Sequence, residues 1–159
     1  YFDDRGGAVG VARATAFGLK ELGHDVSVIT TVQERSSAGK KNIGGVDIFY
    51  IYSDYDLFWR AYAGLYNRET VKSVAKIFAE IKPDIVHTHN IHTRISYHAV
   101  KLAKKTGAKV FLTAHDAMLF HYGKITEFID KNDLTCPKEF NYHVSVWQQM
   151  QRAGKILKE

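Results

Sequence analysis

Three histidines fall within six positions in the stretch DIVHTHNIH, residues 84–92, at His87, His89 and His92. His87 and His89 close an apolar run. If that run is a strand, alternate residues face the same way and the two imidazoles share a side. Metal-dependent hydrolases hold zinc with such a His-x-His pair. They need further ligands from later strands, and the candidates here are His98, His115, Asp116 and His121. Few paired carboxylates lie near these positions, and 159 residues fall well short of the about 250 of a catalytic barrel. The favoured reading therefore puts His87 and His89 where a strand ends and its loop begins, at the mouth of a cleft, with no metal.

Two further motifs could do chemistry. RGGAVG, residues 5–10, opens a helix. Adjacent glycines let backbone N–H groups approach a phosphate, and the helix N-terminus adds a favourable dipole. It is neither a G-x-G-x-x-G dinucleotide fingerprint nor a Walker loop, because no G-K-[ST] follows and the strand ending VITT lacks the ribose-gripping acid. A turn that merely needs glycine stays open as the plainer reading. FLTAHDAMLF, residues 111–120, ends another apolar run in a polar pair, His115 and Asp116. A histidine beside a carboxylate carries an adjustable proton or donates a hydrogen bond to an anion. Two strand ends bearing histidines and one glycine-rich loop would converge on a single crevice.

The elements that must position these groups are readable from periodicity. Val11, Thr15, Gly18, Leu19 and Leu22 recur at helical spacing after the glycine loop, and Gly23 stands where a left-handed residue ends a helix. Val26 to Thr30 reads as a strand. TVQERSSAGKKN, residues 31–42, reads as a surface loop, and Val46 to Tyr52 as a second strand. The aromatic stretch from Asp54 to Asn67 places Phe58, Tyr62 and Tyr66 at helical spacing, which predicts a helix packed on the core with a partly exposed edge, the alternative being an acceptor-facing or membrane-facing flap. ETVKSVAKIFAEIKP is an amphipathic helix with Val71, Val74, Phe78 and Ile81 on one face, stopped by Pro83. DIVHTH is a strand, TRISYHAVKLAKKTG a helix ended by Gly107, and AKVFLTAHD a strand. TCPKEF turns at Pro137, and YHVSVWQQMQRAGKILKE has helical character. Strands alternating with helices predict an α/β fold, a doubly wound and mainly parallel sheet with helices on both faces. A strand should feed the glycine-rich turn, so the chain is expected to start inside that fold.

Composition narrows the function classes. Apolar residues make up 45% and charged residues 25%, as in a soluble globular domain. No apolar run approaches the roughly 18–20 residues that span a bilayer, and YFDDRGG does not resemble a signal peptide. The single Cys136 forms no intrachain disulfide, which suits a reducing cytosol. The formal net charge of +5 is spread along the chain, which argues against a nucleic-acid module and fits anionic small molecules or an anionic membrane surface.

In their order, GGAVGVARATAFGLKELGHDVSVITT, GGVDIFYI, KPDIVHTHN and KVFLTAHD resemble the N-terminal domain of GT-B glycosyltransferases of the retaining family four type. The resemblance runs from about Arg5 to about Cys136. AHDAMLFHYGK with the later LTCP also resembles the subgroup that makes capsular and exopolysaccharides, although the additional cysteines and the tryptophan-proline of that subgroup are absent. The resemblance implies one Rossmann-like domain of a GT-B pair, with residues 1–159 an incomplete, acceptor-side N-terminal domain. It implies a nucleotide-sugar as donor substrate rather than a cofactor, a glycan, lipid-linked or small acceptor, and a C-terminal nucleotide-binding domain of the same parent chain carrying an E-x7-E element. It implies transfer with retention, in the cytoplasm, and a lipid-linked acceptor would bring the enzyme into peripheral contact at the inner membrane face.

Carried over by position, Gly6 and Gly7 would lie against the donor diphosphate or an acceptor phosphate. His115 would be the catalytic histidine that reaches the transferred sugar, and Asn90 an acceptor contact. Arg5 and Asp116 flank them and complete the substrate- and phosphate-binding set. One helix N-terminus stabilises an anion by roughly 0.3–1 kcal/mol, or about 2 when partly buried, whereas micromolar binding needs about 8 kcal/mol. Alone, the chain should bind donor weakly. Two other classes stay in view: a non-catalytic Rossmann-like module for an anionic ligand or partner protein, and a metal-dependent hydrolase.

Overall fold

The computed structural model describes residues 6–115. Helix α1 (Gly7–Glu21) leads into β1 (Ser27–Val32), and a 3-10 turn at Arg35–Ser37 precedes β2 (Gly39–Ile43) and β3 (Val46–Tyr52). A second 3-10 turn, Leu57–Trp59, runs into α2 (Arg60–Leu65), followed by α3 (Val71–Ile81), β4 (Ile85–His89), α4 (His98–Lys105) and β5 (Lys109–Thr113). β1 pairs parallel with β3, from Ser27 opposite Asp47 to Val32 opposite Tyr52. β2 lies antiparallel on the other side of β3, giving the order β1-β3-β2. β4 and β5 pair in parallel, with Ile85 opposite Lys109 and His89 opposite Thr113.

Alternation along β3 distributes the core. Val46, Ile48 and Tyr50 point one way and join Ala16, with Phe17, Val26, Val28 and Val32 packed around them. Phe49 and Ile51 point the other way, into Val74, Ile77 and Phe78 of α3 and Ala99 and Ala103 of α4. Val86 of β4 and Val110 of β5 pack against this second cluster, as does Ile29 of β1. Both faces of β3 are thus covered by helices, in keeping with the expected Rossmann-like α/β arrangement. Val46 and Ile48 are fully buried, each contributing roughly 1.5–3 kcal/mol by removal from water.

The helix ends follow their residues. At the end of α1 the His24 N–H donates to the Leu19 carbonyl and the Gly23 N–H to the Lys20 carbonyl, with Gly23 left-handed at φ 87°. That is a Schellman motif, and it needs the glycine. Helix α3 ends at a left-handed Lys82, immediately before Pro83.

Two expectations are corrected here. Residues 31–42 are not a loop throughout, since β1 runs to Val32 and β2 occupies Gly39–Ile43. The two-residue Gly44–Gly45 turn, with φ of 57° and 79°, has the mirror-image geometry that matches strand twist and closes a hairpin. β2 is exposed along its length, so no apolar alternation marks it. Its lysines guard the sheet edge: Lys40 pairs with Asp47 at 2.8 Å and lies over the Phe49 ring, and Lys41 lies over Tyr50. On α1, Val11, Leu19 and Leu22 are exposed, and the buried position is Ala16, a small residue that lets the helix approach β3.

The aromatic segment is helical but faces outward. Phe58, Trp59, Tyr62 and Tyr66 are each at least half exposed. What seats α2 is Gly64: its carbonyl accepts the Tyr97 N–H at 2.8 Å, and a Cβ there would stand 2.5 Å from the His92 carbonyl oxygen. Backbone meets backbone at this point, with no flexible side chain to yield. Gly64→Ala is expected to destabilise the domain by about 1–3 kcal/mol, read as a lower urea midpoint at unchanged slope.

Candidate functional site

β4 and β5 run side by side in the same direction, so their loops leave the sheet at one end. His87 and His89 alternate onto one face, their ring centroids 4.2 Å apart. Thr88 between them faces the other way, is buried, and donates its hydroxyl to the Phe111 carbonyl. His87 Nε2 lies 2.7 Å from Thr113 Oγ1, on the strand partner of His89. His89 Nδ1 lies 2.9 Å from His115 Nε2, with the two rings tilted by 30°. The His115 backbone N–H donates to Asn90 Oδ1 at 3.1 Å. Asn90 itself is left-handed at φ 44°, a conformation its short polar side chain tolerates.

The structure thus gathers His87, His89, Asn90 and His115 into one cluster. Burial, and then the neighbouring His87 and His115, push the His89 imidazole down from its ordinary 6.5 to about 4. It is therefore neutral near pH 7. Among the described residues, no three of His, Cys, Asp and Glu are grouped to hold a metal ion. Gly6 and Gly7 sit at the start of α1, which has no side-chain cap and no acidic residue in its first turn. A Cβ at either glycine would meet nothing within 4 Å, so neighbouring atoms do not demand glycine at these positions. Arg5 and Asp116 lie outside the described residues, as do Cys136, the turn at Pro137 and the helical stretch read at 142–159.

Sequence reasoning missed the buried polar knot that holds the loop after β4. Arg94 is 6% exposed, and its Nη1 donates to the Ser53 carbonyl at 2.8 Å, with Asp54 at 3.6 Å and the Tyr55 ring beneath it. Three consecutive carbonyls are captured by side chains. Tyr55 donates to Thr93, Asn67 to Arg94, and Thr70 to Ile95 at 2.9 Å. Asn67 also donates to Ser53 Oγ, and Ser53 Oγ in turn to Glu69. These captures hold the segment from Thr93 in a loop, so the helix read from there begins only at His98. Ser96 is fully buried at φ 85°. No spacing rule reveals such a knot. The one local signal is a run of polar residues, Ser53 and Asp54, at the end of a buried strand.

The profile of glycosyltransferase family 4 matches residues 5–147. An uncharacterized 42.6 kDa protein in the cps region of Klebsiella pneumoniae is 32% identical over 130 residues, covering 73% of this chain and 34% of that protein. The chain thus spans about a third of the length of the curated relative it matches. No solved structure matches it. Among the described residues, no helix is long and apolar enough to cross a membrane.

Arg94→Ala removes a charge-assisted hydrogen bond from a buried carbonyl. It should cost about 2–3 kcal/mol and abolish hydrogen-exchange protection at Ser96 and Tyr97. The histidine cluster sets a pH dependence. Because the folded-state value of His89 lies below the unfolded one, the unfolded chain binds the proton more readily between about 4 and 6.5. Stability is then full above pH 6.5 and falls as pH drops toward 4, by about 1–2 kcal/mol after allowing for solvent around a partly exposed ring. Thermal melts across that window should show the loss, and His89→Asn should flatten it.

Proposed function

This chain belongs to glycosyltransferase family 4, and from that membership we propose that it is the acceptor-side domain of a two-domain GT-B enzyme. The enzyme moves a sugar from a nucleotide-sugar to a glycan, lipid-linked or small acceptor, with retention, as a step of polysaccharide biosynthesis. The observation that carries the reading is the convergence of the β4 and β5 ends, where Asn90 holds the His115 backbone and His89 meets its ring. The likeness to a protein of a cps region supports the polysaccharide context.

In this scheme His115 contacts the transferred sugar at the reacting centre. The uncapped N-terminus of α1, with Gly6 and Gly7 and the adjoining Arg5, faces phosphate. Asn90 and Asp116 contact the substrates, and His87 and His89 stand at the cleft mouth. A C-terminal nucleotide-binding domain of the same parent chain supplies most of the donor affinity, and no cofactor takes part. The oxocarbenium-like centre is stabilised by the departing diphosphate, held by backbone N–H groups and basic side chains. The enzyme works in the cytoplasm, in peripheral contact with the membrane that presents the acceptor.

The test is calorimetric titration with a panel of nucleotide-sugars, and a transfer assay, on the natural protein that contains residues 1–159. Saturable donor binding is expected, with turnover that His115→Ala lowers by roughly 10²–10³-fold. The chain by itself should bind the same donor only weakly. Absence of donor binding by the natural protein would replace this reading with that of a non-catalytic binding module.

A further inference from the structure

We infer that His89 is a positioning residue for His115: its Nδ1 accepts the Nε2–H of His115 and so locks that ring with an unprotonated Nδ1 turned to the ligand. The inference rests on the proposed role of His115 and adds to it the hydrogen-bonding sense in which His115 meets a sugar.

The geometry requires one proton between the rings. At 2.9 Å, His89 Nδ1 and His115 Nε2 are hydrogen-bonded. Two lone pairs at that distance repel and two N–H groups collide, so one nitrogen donates and the other accepts. If His89 donates, both rings must take the Nδ1–H tautomer, the less favoured form of a free histidine side chain. If His115 donates, both rings keep Nε2–H, the favoured form. The second arrangement satisfies the bond without a tautomeric penalty in either ring.

The surroundings hold His89 as an acceptor. Its ring lies against His87, 4.2 Å between centroids, and His87 Nε2 is engaged by Thr113 Oγ1 at 2.7 Å. Burial and the two flanking imidazoles keep His89 uncharged, and a neutral ring has a lone pair to offer. Asn90 Oδ1 separately anchors the His115 backbone N–H. The backbone is thus fixed by one neighbour and the ring by the other. Among the described residues, the His115 imidazole has no hydrogen-bond partner besides His89. Its Nδ1 is then an acceptor for a hydroxyl, which suits a ligand whose polar groups are O–H donors.

Long-range proton–nitrogen NMR on the uniformly labelled chain at pH 7.5 reads the tautomer directly. The expected wild-type result is His115 with an unprotonated Nδ1 and a protonated Nε2. His89→Phe keeps a ring but removes the acceptor, and should move both His115 nitrogens toward the averaged values of a mixture. His89→Asn, whose Oδ1 stands near the position of Nδ1, should keep the wild-type pattern. A protonated Nδ1 on His115 in the wild type would overturn the inference. So would a pattern that His89→Phe leaves unchanged. The wild-type spectrum settles the direction of the bond even if a variant fails to fold. Catalysis does not enter this reading: a locked tautomer in a protein whose sugar transfer survives His115→Ala would sink the proposed function and leave the lock standing.

Discussion

Strand β3 has no polar face to offer to water, and this two-sided burial organises everything around it. Val46, Ile48 and Tyr50 require a cover on one side, Phe49 and Ile51 on the other. Helix α1 supplies the first, using the small Ala16 and the flat edge of Phe17. Helices α3 and α4 supply the second, and their apolar stripes are wider than β3 alone. The surplus takes in Val86 of β4 and Val110 of β5. The histidine-bearing strands are therefore hung from the same hydrophobic layer as β3. Their C-terminal ends are placed by this packing. Hydrophobic burial of this kind is strong but non-directional; it places strands and cannot aim imidazoles.

Aiming falls to the polar groups at the strand ends. The loop after β4 carries two non-glycine residues in the left-handed region, Asn90, which tolerates it, and Ser96, where it is a strain of order 1–3 kcal/mol. The knot around Arg94 offsets that strain with hydrogen bonds made in a low-dielectric interior, where each is worth more than at the surface. It is not completely satisfied: Arg94 Nε and Ser96 Oγ are buried without a partner among the described residues. A loop held by imperfect but numerous bonds is rigid without being optimal in energy. Rigidity is what the cluster of His87, His89 and His115 needs, because its contacts are ring-to-ring at hydrogen-bond distance.

How much was legible follows from which interactions are local. Gly23 after Leu22 reads as a helix end because the motif it completes spans a few residues, and the structure uses it so. The histidines of DIVHTH and the His115 of FLTAHD could be assigned to a common crevice because each ends an apolar run, and parallel strands deliver their ends together. Tyr62 and Tyr66 misled for the converse reason. Helical spacing shows that residues share a face, but not which face meets the core, and Gly64 decided that by seating α2 against His92. β2 was hidden because an edge strand with both faces in water has no pattern to show. The Arg94 knot was hidden because its members lie far apart in the chain, Ser53 and Arg94 being 41 residues apart. Only the tertiary fold brings them together.

The choice of histidine for the strand ends has a physical logic of its own. On the proposed reading the cleft receives a phosphate-bearing donor, and carboxylates there other than the substrate-contacting Asp116 are best kept engaged, since like charges at close range raise the cost of binding. The acids of the Arg94 knot, Asp54 and Glu69, are engaged by Arg94, Ser53 and the local backbone, and α1 begins without an acidic residue. Permanent cations at the strand ends would draw the diphosphate there, away from the α1 terminus and the partner domain that hold it on the proposed reading. Imidazole avoids both extremes. Uncharged near neutrality, as His89 is held by its burial and its neighbours, it pairs one donor nitrogen with one acceptor nitrogen. A hydroxyl-rich ligand presents that same pairing. On the proposed reading, the strand ends serve the sugar through hydrogen bonds, and charge recognition is left to the helix terminus and the partner domain.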